Sequence, residues 1–327
     1  MKKTNFTLLC LAFFQTFIFA QNKVEKSFLT QFKIAFSSVC KGMNEYLFTE
    51  IPLPGGAGIP LVVLFLVTGA IFFTLYLKFI NIRAFRHSIE IISGKYDNPE
   101  DEGDVSHFQA LAAALSATVG LGNIAGVAIA VSLGGPGAVF WMVTAAFFGM
   151  SSKFVECTLS LKYRTFHKDG TAAGGPMYYL ERGFKDLNPK LKPIGKILGM
   201  MFAFFLIFGS WGGGNMFQAN QSYGAVYSVF PYISKPLYGI IMVILVGIVI
   251  IGGIKRIASV AEKIVPLMCG LYLLSGIFIL LYNFTEIPAG FYEIFHSAFN
   301  NDSIVGGFIR VLVIGFQRAA FSNEAGI

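Results

Sequence analysis

The sequence predicts an all-α polytopic membrane protein, and three observations predict it. Hydrophobic residues make up 55% of the 327-residue chain, charged ones only 13%, and the mean hydropathy is +0.65; a soluble domain carries about twice that share of charge. Apolar runs long enough to cross a bilayer as helices recur along the chain. Lys and Arg gather between alternate runs, as the bias toward a positively charged cytoplasmic side requires. The net charge of +7 is therefore read as topology and gives no reason to expect a nucleic-acid partner. Cys10, Cys40, Cys157 and Cys269 show no metal-ligand spacing, so neither a zinc site nor a disulfide framework is expected.

The elements follow in order. Lys2 and Lys3, the apolar stretch Phe6 to Phe19 and Ala20 ahead of Gln21 read as a signal peptide over 1–20. The alternative is an uncleaved anchor. Residues 21–327 read as one membrane domain. Its first span runs from Ile59 to Leu77, and Lys78, Arg83, Arg86 and Lys95 after it place residues 78–104 inside. Ala110 to Leu133 then runs outward, Gly134-Gly135-Pro136-Gly137 turns it, and Ala138 to Leu161 returns to Lys162, Arg164, His167 and Lys168. Thr171 to Pro193 is polar and reads as cytoplasmic. Ile194 to Tyr227, Leu237 to Ile254 and Ile264 to Tyr282 are further apolar segments, with Lys255, Arg256 and Lys263 inside. Thr285 to Asp302 reads as an external interfacial segment, and Val305 to Ala320 heads back in. The path predicts an N-terminus outside once the signal peptide is removed.

One run is unlike the rest. Val119-Gly120-Leu121-Gly122-Asn123 lies in the middle of the Ala110–Leu133 run. Two glycines and an Asn are poor helix material, so the helix is expected to break there and to leave polar backbone free deep in the membrane. Such backbone is tolerated only where it lines a cavity or holds something, as in secondary transporters. Two plainer readings compete. Gly120-Leu121-Gly122-Asn123-Ile124-Ala125 has the letters of a dinucleotide fingerprint, but no strand precedes it and no acid follows at the needed distance. Gly122 and Gly126 also fit a small-residue helix-packing face. Asn215, Gln218 and Asn220 are polar groups in an apolar region, either helix glue or site lining, with Gln218 the best candidate for lining. Trp211-Gly212-Gly213-Gly214 is open between a hinge and close packing. Lys153 and Glu156, three apart, read as a structural ion pair; Glu181-Arg182 reads as a solvated pair. Nothing resembles a nucleophile–base pair or a phosphate loop, so no enzyme and no cofactor are expected.

Five stretches together resemble the alanine or glycine:cation symporter family, the sodium:alanine symporters: Ala117 to Ala128 around the glycines, Gly134 to Met142, Gly174-Gly175-Pro176-Met177-Tyr178-Tyr179, Asn215 to Asn220, and Phe321-Ser322-Asn323-Glu324-Ala325-Gly326. The resemblance implies a leucine-transporter-like inverted-repeat fold in the bacterial cytoplasmic (inner) membrane. This chain would supply one extra N-terminal span, the first five-helix repeat and the start of the second. Family members continue past the Phe321–Gly326 stretch, so the domain is expected to be incomplete at its C-terminus, and a non-transporting fragment is the alternative reading. By analogy, the amides of Leu121 and Gly122 receive a substrate carboxylate at a half-helix N-terminus, Asn123 and Gln218 line the pocket, and carbonyls near Phe321 and Ser322 accept the ammonium. Sodium would take carbonyls of Ser116, Thr118 and Val119, the Thr118 hydroxyl and the Asn123 amide oxygen. Glu324 is the one acid through which a proton could couple instead. The implied partners are a small neutral amino acid, sodium and membrane lipid.

Overall fold

A computed structural model describes residues 48–52, 58–98, 103–168, 170–299 and 307–322, together with isolated helical positions between 30 and 45. The expected signal peptide and the stretch Asn323 to Ile327, with Glu324, lie outside the described residues, as do the side chains of Leu121, Arg310, Phe321 and Ser322. Two compact units divide the chain. One comprises residues 1–51 and 60–62, in which the Leu61 amide donates to the Thr49 carbonyl at 3.1 Å. The other comprises residues 52–59 and 63–327 and holds every helix from Val63 of α1 onward.

Short strands β1 (Glu50–Pro52) and β2 (Gly58–Pro60) precede helix α1 (Leu61–Tyr76), which matches the first expected span. Helices α2 (Ile80–Arg83) and α3 (Phe85–Ile92) occupy the basic segment after it. The interrupted run becomes two helices, α4 (His107–Thr118) and α5 (Leu121–Gly134), and α6 (Gly137–Lys162) is the return span. Ser106 caps α4 through a reciprocal pair: its Oγ accepts from the Gln109 amide, and Gln109 Oε1 accepts from the Ser106 amide, both at 3.2 Å. The turn between α5 and α6 needs its glycines. Gly135 has φ +74, and a Cβ on Gly137 would lie 2.5 Å from the Ala298 amide nitrogen.

The polar stretch after α6 is more ordered than a bare loop. Strands β3 (Thr165–Phe166) and β4 (Ala172–Ala173) pair antiparallel, Thr165 opposite Ala173, and an amphipathic helix α7 (Pro176–Leu187) follows. It packs on α8 (Lys192–Gly209) so closely that a Cβ on Gly195 would meet the Leu180 carbonyl oxygen at 2.4 Å. Glu181 and Arg182 do not pair with each other as expected. Glu181 reaches Lys192 at 3.6 Å, and Arg182 donates to the Tyr163 carbonyl at 3.0 Å, because adjacent helical residues project about 100° apart and meet different neighbours. Lys153 and Glu156 do form their pair, at 3.0 Å.

Helix α8 runs through a π-helical stretch, Ser210–Phe217, into α9 (Gln218–Val229); α10 (Lys235–Ile250) and α11 (Gly253–Tyr282) follow. The last of these begins well before Ile264. Gly253, at φ +70, turns the chain, and Lys255, Arg256 and Lys263 sit within the helix, since buried Ala258 and Ala261 give its first turns something to pack against. Pro266 is carried inside it. Two further helices complete the described chain, α12 (Ile287–Phe299) and α13 (Gly307–Ser322). By length and composition, three helical segments among the described residues can each cross a membrane: Gly137–Lys162, Pro189–Val229 and Gly253–Tyr282; α1, α5 and α10 are apolar but shorter. Large side chains such as Leu274, Phe278 and Leu281 are 65 to 70% exposed, which suits a surface solvated by lipid tails. The fold is that of a mainly helical, multi-pass membrane protein.

Candidate functional site

The expected break is present. α4 ends at Thr118, Val119 takes φ −82 and ψ 87, Gly120 is fully extended at φ −147 and ψ −154, and α5 starts at Leu121. Glycine at 120 and 122 makes helix here costly by about 1 kcal/mol per residue relative to Ala, and an extended Gly120 satisfies no i−4 ladder. The new helix end has no side-chain cap. The amides of Asn123 and Ile124 both reach back to the Gly120 carbonyl at 3.2 Å.

The break is bridged by one side chain. Asn123 Nδ2 donates to the Thr118 carbonyl at 2.8 Å in a half-buried position, which satisfies an acceptor that helix geometry has released. The sequence reading gave Asn123 to ligands alone and missed this bond. Ser116 and Thr118 turn their hydroxyls onto their own helix: Ser116 Oγ donates to the Ala113 carbonyl at 2.6 Å and Thr118 Oγ1 to the Ala114 carbonyl at 2.9 Å. A hydroxyl whose hydrogen is spent this way keeps oxygen lone pairs that can accept.

The two halves of the broken helix belong to different packing clusters. α4 contributes Ala112 to a core with Ala261 and Val265 of α11, flanked by Leu115 and Cys269. α5 contributes Ala130 to a core with Ala138 and Met142 of α6 and Val311 and Ala319 of α13, flanked by Val127, Trp141 and Ile314. A Cβ on Gly315 of α13 would lie 2.6 Å from Trp141 Cβ, and Trp141 Nε1 donates to the Ala298 carbonyl at 3.1 Å. The break is thus a joint between two packed groups of helices.

Ser116, Thr118, Val119, Leu121, Gly122 and Asn123 come together at this joint because they are nearly consecutive. Gln218 is the first residue of α9, half-buried, and among the described residues no hydrogen bond joins it to the break. Phe321 and Ser322 close α13, whose backbone is still helical at Ser322; that helix packs on α5. The rest of the Phe321–Gly326 stretch falls on residues outside those described. Asn215 Nδ2 donates to the Ser210 carbonyl at 2.9 Å, so it serves its own helix rather than a pocket. The glycine triplet beside it forms π-helix, a geometry that a glycine count does not signal but that often marks functional positions.

Comparison with known proteins settles what kind of molecule carries this joint. The model of the sodium:alanine symporter family matches residues 55–327. The chain belongs to the sodium:alanine symporter family. It is 46% identical over 268 residues to the sodium/alanine symporter AgcS of Methanococcus maripaludis, covering 82% of this chain and 58% of that protein. It is also 38% identical to the amino-acid carrier protein AlsT of Bacillus subtilis (79% of this chain, 52% of that protein) and 35% identical to the probable sodium/glutamine symporter GlnT of the same organism (82% and 54%). The chain spans little more than half the length of these curated relatives. Both halves of the broken helix fall inside the matched region.

Proposed function

We propose that this chain carries the substrate and sodium sites of a sodium-coupled symporter for small neutral amino acids, alanine or glycine, working by alternating access across the bacterial cytoplasmic membrane. The observation that carries the reading is the interruption at Val119–Gly120 inside a family-matched apolar segment. An uncapped half-helix start offers backbone N–H groups and the positive end of a dipole to a carboxylate. Leu121 and Gly122 supply the amides, and the missing side chain at Gly122 allows close approach. The Val119 carbonyl, the hydroxyl oxygens of Ser116 and Thr118 and the Asn123 Oδ1 form a set of neutral oxygens, which suits sodium. Gln218 lines the pocket, and the Phe321–Ser322 end of α13 accepts the ammonium. The fold is the leucine-transporter-like inverted-repeat fold, with α1 as the extra helix and the mature N-terminus outside. The chemistry is binding and release, with no covalent step and no cofactor beyond the coupling ion. One relative is named for glutamine and another, YrbD of Bacillus subtilis, for sodium/proton-dependent alanine carriage, so substrate size and coupling ion are the variables to measure.

The test is radiolabelled alanine uptake into vesicles containing the chain, with and without a sodium gradient. Sodium-driven accumulation that Gly122→Leu abolishes, with membrane insertion intact, is expected. Uptake unchanged in Gly122→Leu would falsify the carboxylate pocket. An inserted wild-type chain that accumulates nothing supports the second reading, a partial protein that does not transport alone.

A further inference from the structure

The segment just after the first span carries a surface that the transport site does not use. α1 ends at Tyr76, and Lys78 and Phe79 both adopt left-handed backbone, φ 54 and 55, a conformation bulky residues rarely take. The chain bends there, away from the path of α1, into α2 and α3. Phe85 and Ile89, four apart, share one face of α3 and are 65 and 53% exposed, and Ile82 of α2 just before them is 61% exposed. Arg86, three residues before Ile89, lies beside that face, and Arg83 closes α2; both are exposed. Glu90 is already engaged by Lys95 at 3.3 Å and Arg86 at 3.8 Å. Among the described residues no carboxylate lies within ion-pair distance of Lys78 or Arg83.

Two hydrogen bonds tie the end of α1 and the start of α2 to α6. Thr74 Oγ1 donates to the Phe148 carbonyl at 3.2 Å, and Asn81 Nδ2 donates to the Phe147 carbonyl at 3.0 Å.

We propose that α2–α3 is an interfacial helix that sinks Ile82, Phe85 and Ile89 into the acyl boundary of the cytoplasmic leaflet and binds anionic phospholipid headgroups through Lys78, Arg83 and Arg86. The proposal rests on the reading of residues 78–104 as cytoplasmic and is independent of the amino-acid site. It is tested with the full chain, its four cysteines replaced by Ala, carrying Phe85→Cys labelled with a fluorophore. The protein is reconstituted into vesicles of phosphatidylcholine alone or mixed with phosphatidylglycerol, each doped with lipid spin-labelled high on the acyl chain. Resistance to alkaline extraction confirms insertion separately, so a failure of the membrane reading is distinguishable. The label is expected to be quenched in both vesicles and more strongly with phosphatidylglycerol. Arg83→Gln/Arg86→Gln should remove the increment, because each cation near an anionic surface strengthens binding about fivefold. A second variant, Ile82→Gln/Ile89→Gln, should reduce quenching in both vesicles. An inserted chain whose label is not quenched has that face covered by protein, which overturns the proposal; quenching indifferent to phosphatidylglycerol and to the arginines overturns the headgroup assignment.

Discussion

Asn123 and Asn215 each donate from Nδ2 to the carbonyl five residues back, at 2.8 Å to Thr118 and at 2.9 Å to Ser210, yet the first bond bridges a broken helix and the second lies within a continuous one. Both sit in apolar runs loosened by glycine, and the Asn215 region has the more glycines of the two. The difference lies in what holds the flanks. α4 is packed against α11 through Ala112, Ala261 and Val265, while α5 is packed against α6 and α13 through Ala130, Ala138 and Val311. Each half of the first helix is held by a different group, and the backbone between them extends. Around Ser210–Phe217 the described side chains are exposed, and the contacts of α8 with α7 and of α9 with α10 lie away from the stretch. The surplus is absorbed as π-helix. Glycine permits a departure from the α-helix; packing decides which departure occurs.

Removing the two amides separates these cases most sharply. Asn123→Ala leaves the Thr118 carbonyl short of a bond in a half-buried setting, a loss of about 1–3 kcal/mol. It is also expected to abolish sodium-driven alanine uptake. Asn215→Ala, at an exposed position, should stay within about 0.5 kcal/mol of wild type. Thermal unfolding of the purified protein in detergent compares them, and equal losses would remove the distinction between bridge and ornament. The packing of the α5 group is probed by Gly315→Ala, whose Cβ would fall 2.6 Å from Trp141 Cβ and 2.9 Å from the Ala138 carbonyl oxygen. Overpacking of this kind costs about 1–3 kcal/mol, read as a lower unfolding temperature.

Gly214→Ala is expected to act in the opposite direction. A Cβ there meets no atom within 4 Å, so the substitution should stabilise by up to about 1 kcal/mol. If uptake falls while stability rises, the π stretch moves during transport; if uptake is unchanged, the stretch is a fixed irregularity of α8–α9.

The sequence made the break legible because its cause is local: Gly120, Gly122 and Asn123 stand together in a run otherwise fit to be one helix. Most spans were legible for the same reason, α1 and α6 falling within a residue or two of their expected ends. The partners of each half-helix were not legible. Ala112 and Ala130 look alike in sequence, and only long-range packing assigns one to α11 and the other to α6 and α13. The early start of α11 was hidden because Lys255, Arg256 and Lys263 signal a cytoplasmic side without saying whether the backbone there is coiled or helical. The bridging role of Asn123 was hidden because a side chain that can bind a ligand can equally satisfy a carbonyl, and the choice depends on where Thr118 ends up.

The smallest expected effect tests whether every polar group in the α6 span has a structural purpose. Ser151 is fully buried, and among the described residues its Oγ has no hydrogen-bond partner, unlike Thr74, equally buried, whose Oγ1 lies 2.8 Å from the Ala70 carbonyl and 3.2 Å from that of Phe148. A buried hydroxyl without a partner opposes folding, and replacing it by an apolar group of similar shape is close to neutral or mildly favourable. Ser151→Ala is therefore expected to leave the unfolding temperature unchanged or slightly raised, within about 1 kcal/mol, whereas Thr74→Ala should lower it. A clear loss in Ser151→Ala would mean that the hydroxyl holds a bound water or ion.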